Sequence, residues 1–346
     1  MKKIIGMDLG DKQNVMVVLD EAGKEVEVSS CVNTAKNIQK YFSRYKGCVV
    51  VMEAGTHSAW IGRLLTKMGH EVHVGNPRKL RAIWDTPDKS DERDARVLAL
   101  MYRLEPRLLH EVFHRSEEAQ MDLELIKARN QLVESRSKLI NHVRGAVKSV
   151  GERLHKCSAE CFARRARESL PGNLKASLFS VLDVIEYMTE QIRLQDRQIA
   201  EICDKKYPET KCLRQVPGVG PITALAFVLT LEYPERFKKS RTAGAFLGLT
   251  PRRDQSGDTD KQLRITKAGN TYMRQLLITC THYILGAFGP DSDLRFYGQR
   301  IAARGGKNAK KRAVVAVARK LSVLLHRLWV SEAEYVAVGF KDSKVA

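Results

Sequence analysis

No apolar run in this 346-residue chain is long enough to cross a bilayer, and no two cysteines have the CxxC spacing of a zinc or dithiol site. The seven cysteines, at 31, 48, 157, 161, 203, 212 and 280, are odd in number and irregular in spacing. Cys157 and Cys161 stand four apart, but no second Cys or His pair completes a zinc pattern. Reduced thiols in an intracellular protein are therefore expected. The opening "MKKIIGMDLG" reads as a strand and not as a signal peptide. These absences predict a soluble, cytoplasmic chain with no membrane partner. Internal repeats and low-complexity tracts are also missing. Acid is in short supply: 40 Asp and Glu face 59 Lys and Arg, a formal charge of +19. A surplus of that size points to a polyanion, most often nucleic acid. A basic protein with no such partner is the alternative, and the clustering of the cations speaks against it.

The length predicts two or three units. Short apolar runs alternate with turn residues at the start: "KIIGMDL", "NVMVVLD", "EVEVSS", "GCVVVMEAG" and "HEVHVGN" read as strands. Helical patterns, "TAKNIQKYFSRY" and "AWIGRLLTKMG", lie between them, which predicts an α/β domain over residues 1–115. From Ser116 the text becomes long, charged and periodic. Two helices joined around "SLPGN" read as an antiparallel coiled-coil arm over 116–207, with an ordinary helical bundle as the alternative. Residues 208–346 hold short helices, Gly-rich turns and a basic tail, a mainly α C-terminal domain.

Against the basic background, "DKSDERDARVLAL" (88–100) places four acids in seven positions. Asp91 and Asp94, three apart at a helix start, share one face. Asp8 sits near the end of the first strand and Glu53 ends the buried run "VVVMEAG". Sites in open α/β sheets form at strand ends. Four acids converging there would need a cation, and oxygen ligands without His or Cys suit Mg²⁺ or Mn²⁺. Such ions assist phosphodiester cleavage. Each acid also has a plainer reading. Asp8 could cap a turn, Glu53 pair with Lys or Arg, Asp91 act as an N-cap and Asp94 as a first-turn charge. Asp85, Asp88 and Glu92 read as solvated helix-start charges, and His57 as a structural or substrate-contacting residue.

In the last third, "LRQVPGVGPITALAFVLTL" has the form of a helix-hairpin-helix. Backbone N–H groups at the Gly218–Gly220 turn could hold a phosphate without reading bases, and a plain Gly-rich turn is the alternative. Further on, Arg252, Arg253, Lys261, Arg264 and Lys267 surround Ser256, which precedes Gly257. By pattern alone Ser256 is a turn serine. Residues 300–327 carry nine Lys or Arg and no acid, Lys307, Lys310, Lys311 and Arg312 among them, which suits a phosphate backbone.

Taken in order, "GMDLGDKQ", "VMEAGTHSAW", "DKSDERDARVLA", "VPGVGPITA" and "GLTPRRDQSGDTDKQLRITKAGN" resemble the transposases of the insertion-sequence 110/1111 family, which are DNA recombinases, over nearly the whole chain. The resemblance implies an RNase-H-like (RuvC-like) N-terminal domain whose Asp8, Glu53, Asp91 and Asp94 bind Mg²⁺. It also implies an oligomerising coiled-coil arm, giving a dimer or tetramer, and a C-terminal domain with Ser256 as nucleophile. Donor and target DNA, and an element-encoded guide non-coding RNA, are the implied partners. Ser90 stands where Thr is common in the family, and Leu263-Arg264 where Gly-Arg is common; neither change removes a proposed catalytic group. Three rivals remain at this stage: a metal-dependent, junction-resolvase-like nuclease that uses water, a non-enzymatic nucleic-acid-binding protein, and an actin-like ATPase. The last fits poorly because no second glycine-rich phosphate loop is present.

Overall fold

The computed structural model describes residues 2–84, 90–257 and 259–339; Asp85 and Asp88 lie outside them. The chain divides into two compact units, Met1–Arg115 and Ser116–Ala346.

The first unit is a mixed α/β layer. Its strands are β1 (Ile4–Leu9), β2 (Gln13–Leu19), β3 (Glu25–Val32), β4 (Val49–Glu53) and β5 (Glu71–Gly75), in the spatial order β3-β2-β1-β4-β5. The first three pair antiparallel, whereas β4 runs parallel to both β1 and β5. Helices α1 (Ala35–Phe42), α2 (Ser58–Lys67), α3 (Pro77–Trp84) and α4 (Asp91–Leu104) complete it. One sheet face presents Ile5, Met7, Val50 and Met52 to Ile38 and Phe42 of α1 and Ile61 and Leu65 of α2. The other presents Val49 and Val51 to Leu98 and Met101 of α4. Burial on both faces explains why β4 reads as an unbroken apolar run and does not alternate.

Helix α4 lies directly on β1. A Cβ at Gly6 would stand 1.8 Å from the carbonyl oxygen of Ala95, so only glycine permits this approach. Gly6→Ala must therefore push backbone away from backbone, with an expected cost of about 3 kcal/mol. The measure is a drop in the denaturant midpoint; an unchanged midpoint would contradict the packing.

The second unit is mostly helical: α5 (Glu117–Ser149), α6 (Phe162–Ser169), α7 (Lys175–Lys205), α8 (Thr210–Leu213), α9 (Pro221–Leu231), α10 (Arg241–Phe246), α11 (Thr271–Leu285), α12 (Asp293–Ala302) and α13 (Ala309–Ser331). One antiparallel hairpin, β6 (Pro251–Ser256) and β7 (Thr259–Ile265), interrupts them. The two long helices α5 and α7 run antiparallel, since Asp122 meets Lys206 (2.9 Å) and Arg129 meets Asp196 (2.8 Å). Buried α7 positions Leu178, Leu182, Ile185, Thr189, Ile192, Ile199 and Cys203 recur in steps of three, four or seven, the seam spacing of paired helices. At the roots, Leu123, Ile126, Ile199 and Cys203 join the core of α9, α11 and α13. At the far end α6 closes a separate cluster around Val143, Phe162 and Leu182. Polar layers separate the two: Arg129 with Asp196, then buried Arg136, which donates to Thr189 Oγ1 (3.2 Å).

Buried His326 ties α13 to the loop ahead of α10. Its Nε2 donates to the Pro234 carbonyl and its Nδ1 pairs with Ser240 Oγ, both at 3.0 Å; in the neutral ring Nδ1 accepts from that hydroxyl. Burial pushes its pKa below the usual 6.5. His70 and His114 are lowered for the same reason. Below about pH 6.5 the unfolded chain binds protons that the folded one refuses, so stability falls as the solution is acidified. The melting temperature should drop between pH 7.5 and 5.5, and His326→Gln should flatten that drop. A wild-type profile flat over the range would exclude this linkage.

Candidate active site

Parallel pairing of β1 with β4 sets Ile4 beside Val49 and Met7 beside Met52. The register ends at that pair, and Asp8 and Glu53 are the next residues along their strands. By the alternation of faces along a strand, both positions fall on one side of the sheet. That face also carries Gly6 and Val51, so it is the one α4 covers. The direction of α4 follows from its far end. Arg103 Nη2 donates to the Ala22 carbonyl (2.8 Å), just past the end of β2, and Tyr102 Oη donates to Glu71 (3.4 Å) at the start of β5. The helix therefore runs against β1, and its first turn, with Asp91, Glu92 and Asp94, lies toward the end of the strands that carry Asp8 and Glu53. Ser90 caps this turn, its Oγ accepting from Arg93 N (3.3 Å). Asp91 is exposed, whereas Asp8, Glu53 and Asp94 are half-buried.

The loops around these acids are fastened. Ser58 Oγ donates to the Gly55 carbonyl (2.8 Å) and accepts from its N–H (3.0 Å), closing the turn after Glu53. His57 Nδ1 accepts from Trp60 Nε1 (3.2 Å), which leaves the proton on Nε2, 3.5 Å from Asp11 Oδ1 in the β1–β2 turn. That turn is held from below: Asn33 Nδ2 donates to the Gly10 carbonyl (2.9 Å) and Asn14 Nδ2 to Asn33 Oδ1 (3.2 Å). Sequence reasoning passed over Asn14 and Asn33. The available signal was the amide of Asn14 standing in the otherwise apolar run "NVMVVL", where the structure buries it fully.

The donor set of four carboxylates suits a hard divalent cation. Among the described residues, no group of three or more His, Cys, Asp or Glu side chains is gathered closely enough to hold a metal ion. The backbone thus puts Asp8, Glu53 and the start of α4 on one side of the sheet, while among the described residues the side chains do not close into a coordination shell.

Ser256 is the last residue of β6, paired with Thr259 across a turn in which Gly257 has φ +53°. It is exposed, as are Arg252, Arg253 and Arg264. Arg253 crosses the hairpin to Asp260 (2.7 Å). The hairpin springs from a tight clasp. Lys267 holds φ +54° and donates its N–H to the Gly248 carbonyl (3.1 Å). A Cβ at Gly248 would stand 2.3 Å from Ala268, and one at Gly269 would stand 2.3 Å from the Phe246 carbonyl oxygen. Buried Arg274 caps the carbonyls of Leu247 (3.2 Å), Ala268 and Gly269 (3.1 Å). Arg264, Lys267, Lys311 and Arg312 line one groove of about 1550 Å³. Lys307 and Lys310 are exposed beside the start of α13, outside the groove lining. In the turn before α9, Gly218 has φ +89° and packs under Tyr283, whose ring a Cβ would approach to 2.8 Å; Gly220 faces open space. The helix ahead of this turn, α8, has one turn only.

No helix among the described residues is long and apolar enough to cross a membrane. Residues 5–151 match a family model described as Transposase, and residues 210–297 match one described as Transposase IS116/IS110/IS902 family. The class is thus that of enzymes acting on DNA. Among curated relatives, the transposase for insertion sequence element IS1111A of Coxiella burnetii is 27% identical over 345 residues, covering 96% of this chain and 91% of the relative. The Sinorhizobium fredii protein named Putative transposase y4rJ is 30% identical over 309 residues, covering 82% and 77%. The transposase for insertion sequence element IS1328 of Yersinia enterocolitica is 25% identical over 321 residues, covering 89% and 87%. This chain belongs to the IS116/IS110/IS902 family of transposases.

Proposed function

We propose that the protein cuts and rejoins DNA strands through a covalent serine–DNA link, with Asp8, Glu53, Asp91 and Asp94 as ligands of Mg²⁺ or Mn²⁺ and Ser256 as nucleophile. The observation that supports this reading is that Asp8 and Glu53 directly follow the last paired residues of parallel β1 and β4, on the sheet face that α4 covers. The strand order β3-β2-β1-β4-β5, antiparallel then parallel, supports an RNase-H-like, RuvC-like first unit. A bound cation would offset the repulsion between the adjacent carboxylates and polarise the phosphate. The chain's own groups do the rest. The Ser256 hydroxyl attacks phosphorus and forms a serine–phosphate ester as the bond to the departing sugar oxygen breaks, and that oxygen ends with the proton the serine releases. Reversal against a new strand restores the hydroxyl, so bond energy is kept and no nucleotide cofactor is consumed. Hairpin exposure supports access of a strand to Ser256. Arg252, Arg253, Arg264, Lys267, Lys307, Lys310, Lys311 and Arg312 supply cations for the backbone, and the Gly218–Gly220 turn offers N–H groups to a phosphate. The seam spacing of α7 supports a coiled-coil arm in a dimer or tetramer. A non-coding RNA of the element would bring sequence specificity by pairing with donor and target.

The test is a denaturing gel of the protein with labelled DNA and Mg²⁺. A protein–DNA adduct that disappears in Ser256→Ala supports the reading. Cleavage with no adduct assigns hydrolysis by water at the acids, and binding with no cleavage under any metal assigns a non-catalytic role.

A further inference from the structure

The groove of the second unit lies between the base of the β6–β7 hairpin and helices α12 and α13. Its volume, about 1550 Å³, exceeds the roughly 300–1,000 Å³ of a small-molecule site. Nine of its lining side chains are Arg or Lys, against one acid, Asp293. The charge calls for a polyanion. The floor, however, is apolar: Ile301, Val315, Val323 and Leu324 line it and are half-buried.

The two features come from one helix. Ala313, Val317, Leu321, Leu325 and Leu328 of α13 face the core. On its groove side, cations at 311–312, 319–320 and 327 recur about every eight residues, roughly 12 Å of helix. Apolar residues at 315–316 and 323–324 fill the intervals. Tyr297 of α12 adds an aromatic ring to the wall, with Lys320 Nζ 4.3 Å and Arg300 Cζ 5.8 Å from its centroid.

A duplex satisfies only half of this surface, because its bases are stacked inside and only phosphates and groove edges reach a protein. An unpaired strand offers phosphates along one side and flat apolar base faces along the other, the pairing that single-strand sites use. We propose that this groove holds an unpaired stretch of DNA, with phosphates on the cation rims and bases on the apolar floor and Tyr297. The choice of DNA rests on the transposase reading and on the hairpin. The six-residue strand β6 rises from the groove wall at Pro251 and ends at Ser256, about 17 Å further on. A strand leaving the groove along the hairpin would pass the serine hydroxyl.

Fluorescence anisotropy of the full-length protein, without divalent cation, tests this with labelled dT20 and a duplex of equal length. At matched salt dT20 should bind at least about tenfold more tightly than the duplex. Tyr297→Ala should weaken dT20 binding about tenfold and leave duplex binding in place, whereas Tyr297→Phe keeps both. Exposed Lys320→Ala, which leaves the core alone, should reduce the salt slope for dT20 by about 0.7. Ser256→Ala should change none of these affinities, so failure of the serine mechanism and failure of the groove are read separately. Preference for the duplex, or an unaltered dT20 affinity in both Tyr297→Ala and Lys320→Ala, would overturn the proposal. Tighter binding of U20 than of dT20 would reassign the groove to RNA. An Arg319→Glu change that dissolves an oligomer without touching dT20 affinity would reassign it to a second copy of the chain.

Discussion

Ser256→Ala is expected to abolish strand transfer and the covalent adduct while leaving DNA affinity within about twofold of wild type. The change removes one oxygen at an exposed hairpin position, so the fold should be untouched. Loss of a covalent nucleophile costs on the order of 10⁶ in rate where such losses have been dissected, far beyond the effect of any single phosphate contact. Ser256→Cys offers a control, since a thiol preserves the position of the attacking atom. A Ser256→Ala protein that still recombines DNA at the wild-type rate would remove the serine from the mechanism and leave the acids to act through water.

Asp8→Asn is the second large effect. The exchange keeps the shape of the side chain and removes the charge that follows the paired stretch of β1. Cleavage in Mg²⁺ should fall by at least about a hundredfold, since altering even the outer partners of metal ligands costs about 10–100-fold. Binding offers a second readout. A cation held by the native state alone raises the melting temperature in proportion to RT ln(1 + [L]/Kd). Mg²⁺ should therefore stabilise the wild type and not Asp8→Asn. Equal Mg²⁺ stabilisation of both proteins, with equal cleavage, would exclude Asp8 as a ligand.

Much of the first unit could be read from residue order, because its strands carry strong local patterns. "NVMVVL" and "VVVME" are apolar runs of strand length between turn residues, and Ser90 with three acids after it marks a helix start. What the text could not reveal was adjacency. Asp8 and Glu53 are 45 positions apart, and only the parallel register of β1 and β4 brings the strand ends that precede them, Met7 and Met52, side by side. The absence of a side chain at Gly6, needed for α4 to lie on β1, likewise has meaning only in three dimensions. In the second unit, the hairpin around Ser256 escaped notice for a different reason. Strand β6, "PRRDQS", is exposed along almost its whole length, so it lacks the apolar alternation that betrays a strand. The clasp beneath it depends on carbonyl-to-guanidinium bonds from Arg274, which composition alone cannot foresee. The groove was half legible: its cations stood out in residues 300–327, but its floor required knowing which face of α13 the core had already taken.

The polar layers between α5 and α7 have a mechanical consequence. Helices of 33 and 31 residues make a strut about 50 Å long, rooted in the core that α13 also enters. A seam of leucines alone can slide by one heptad, about 10 Å, at little cost. Here a slide would strand the Arg129 guanidinium and drag Arg136 away from Thr189, so the strut has a single permitted length. Anything gripped at its tip is therefore held at a set remove from the groove, as by a gauge block.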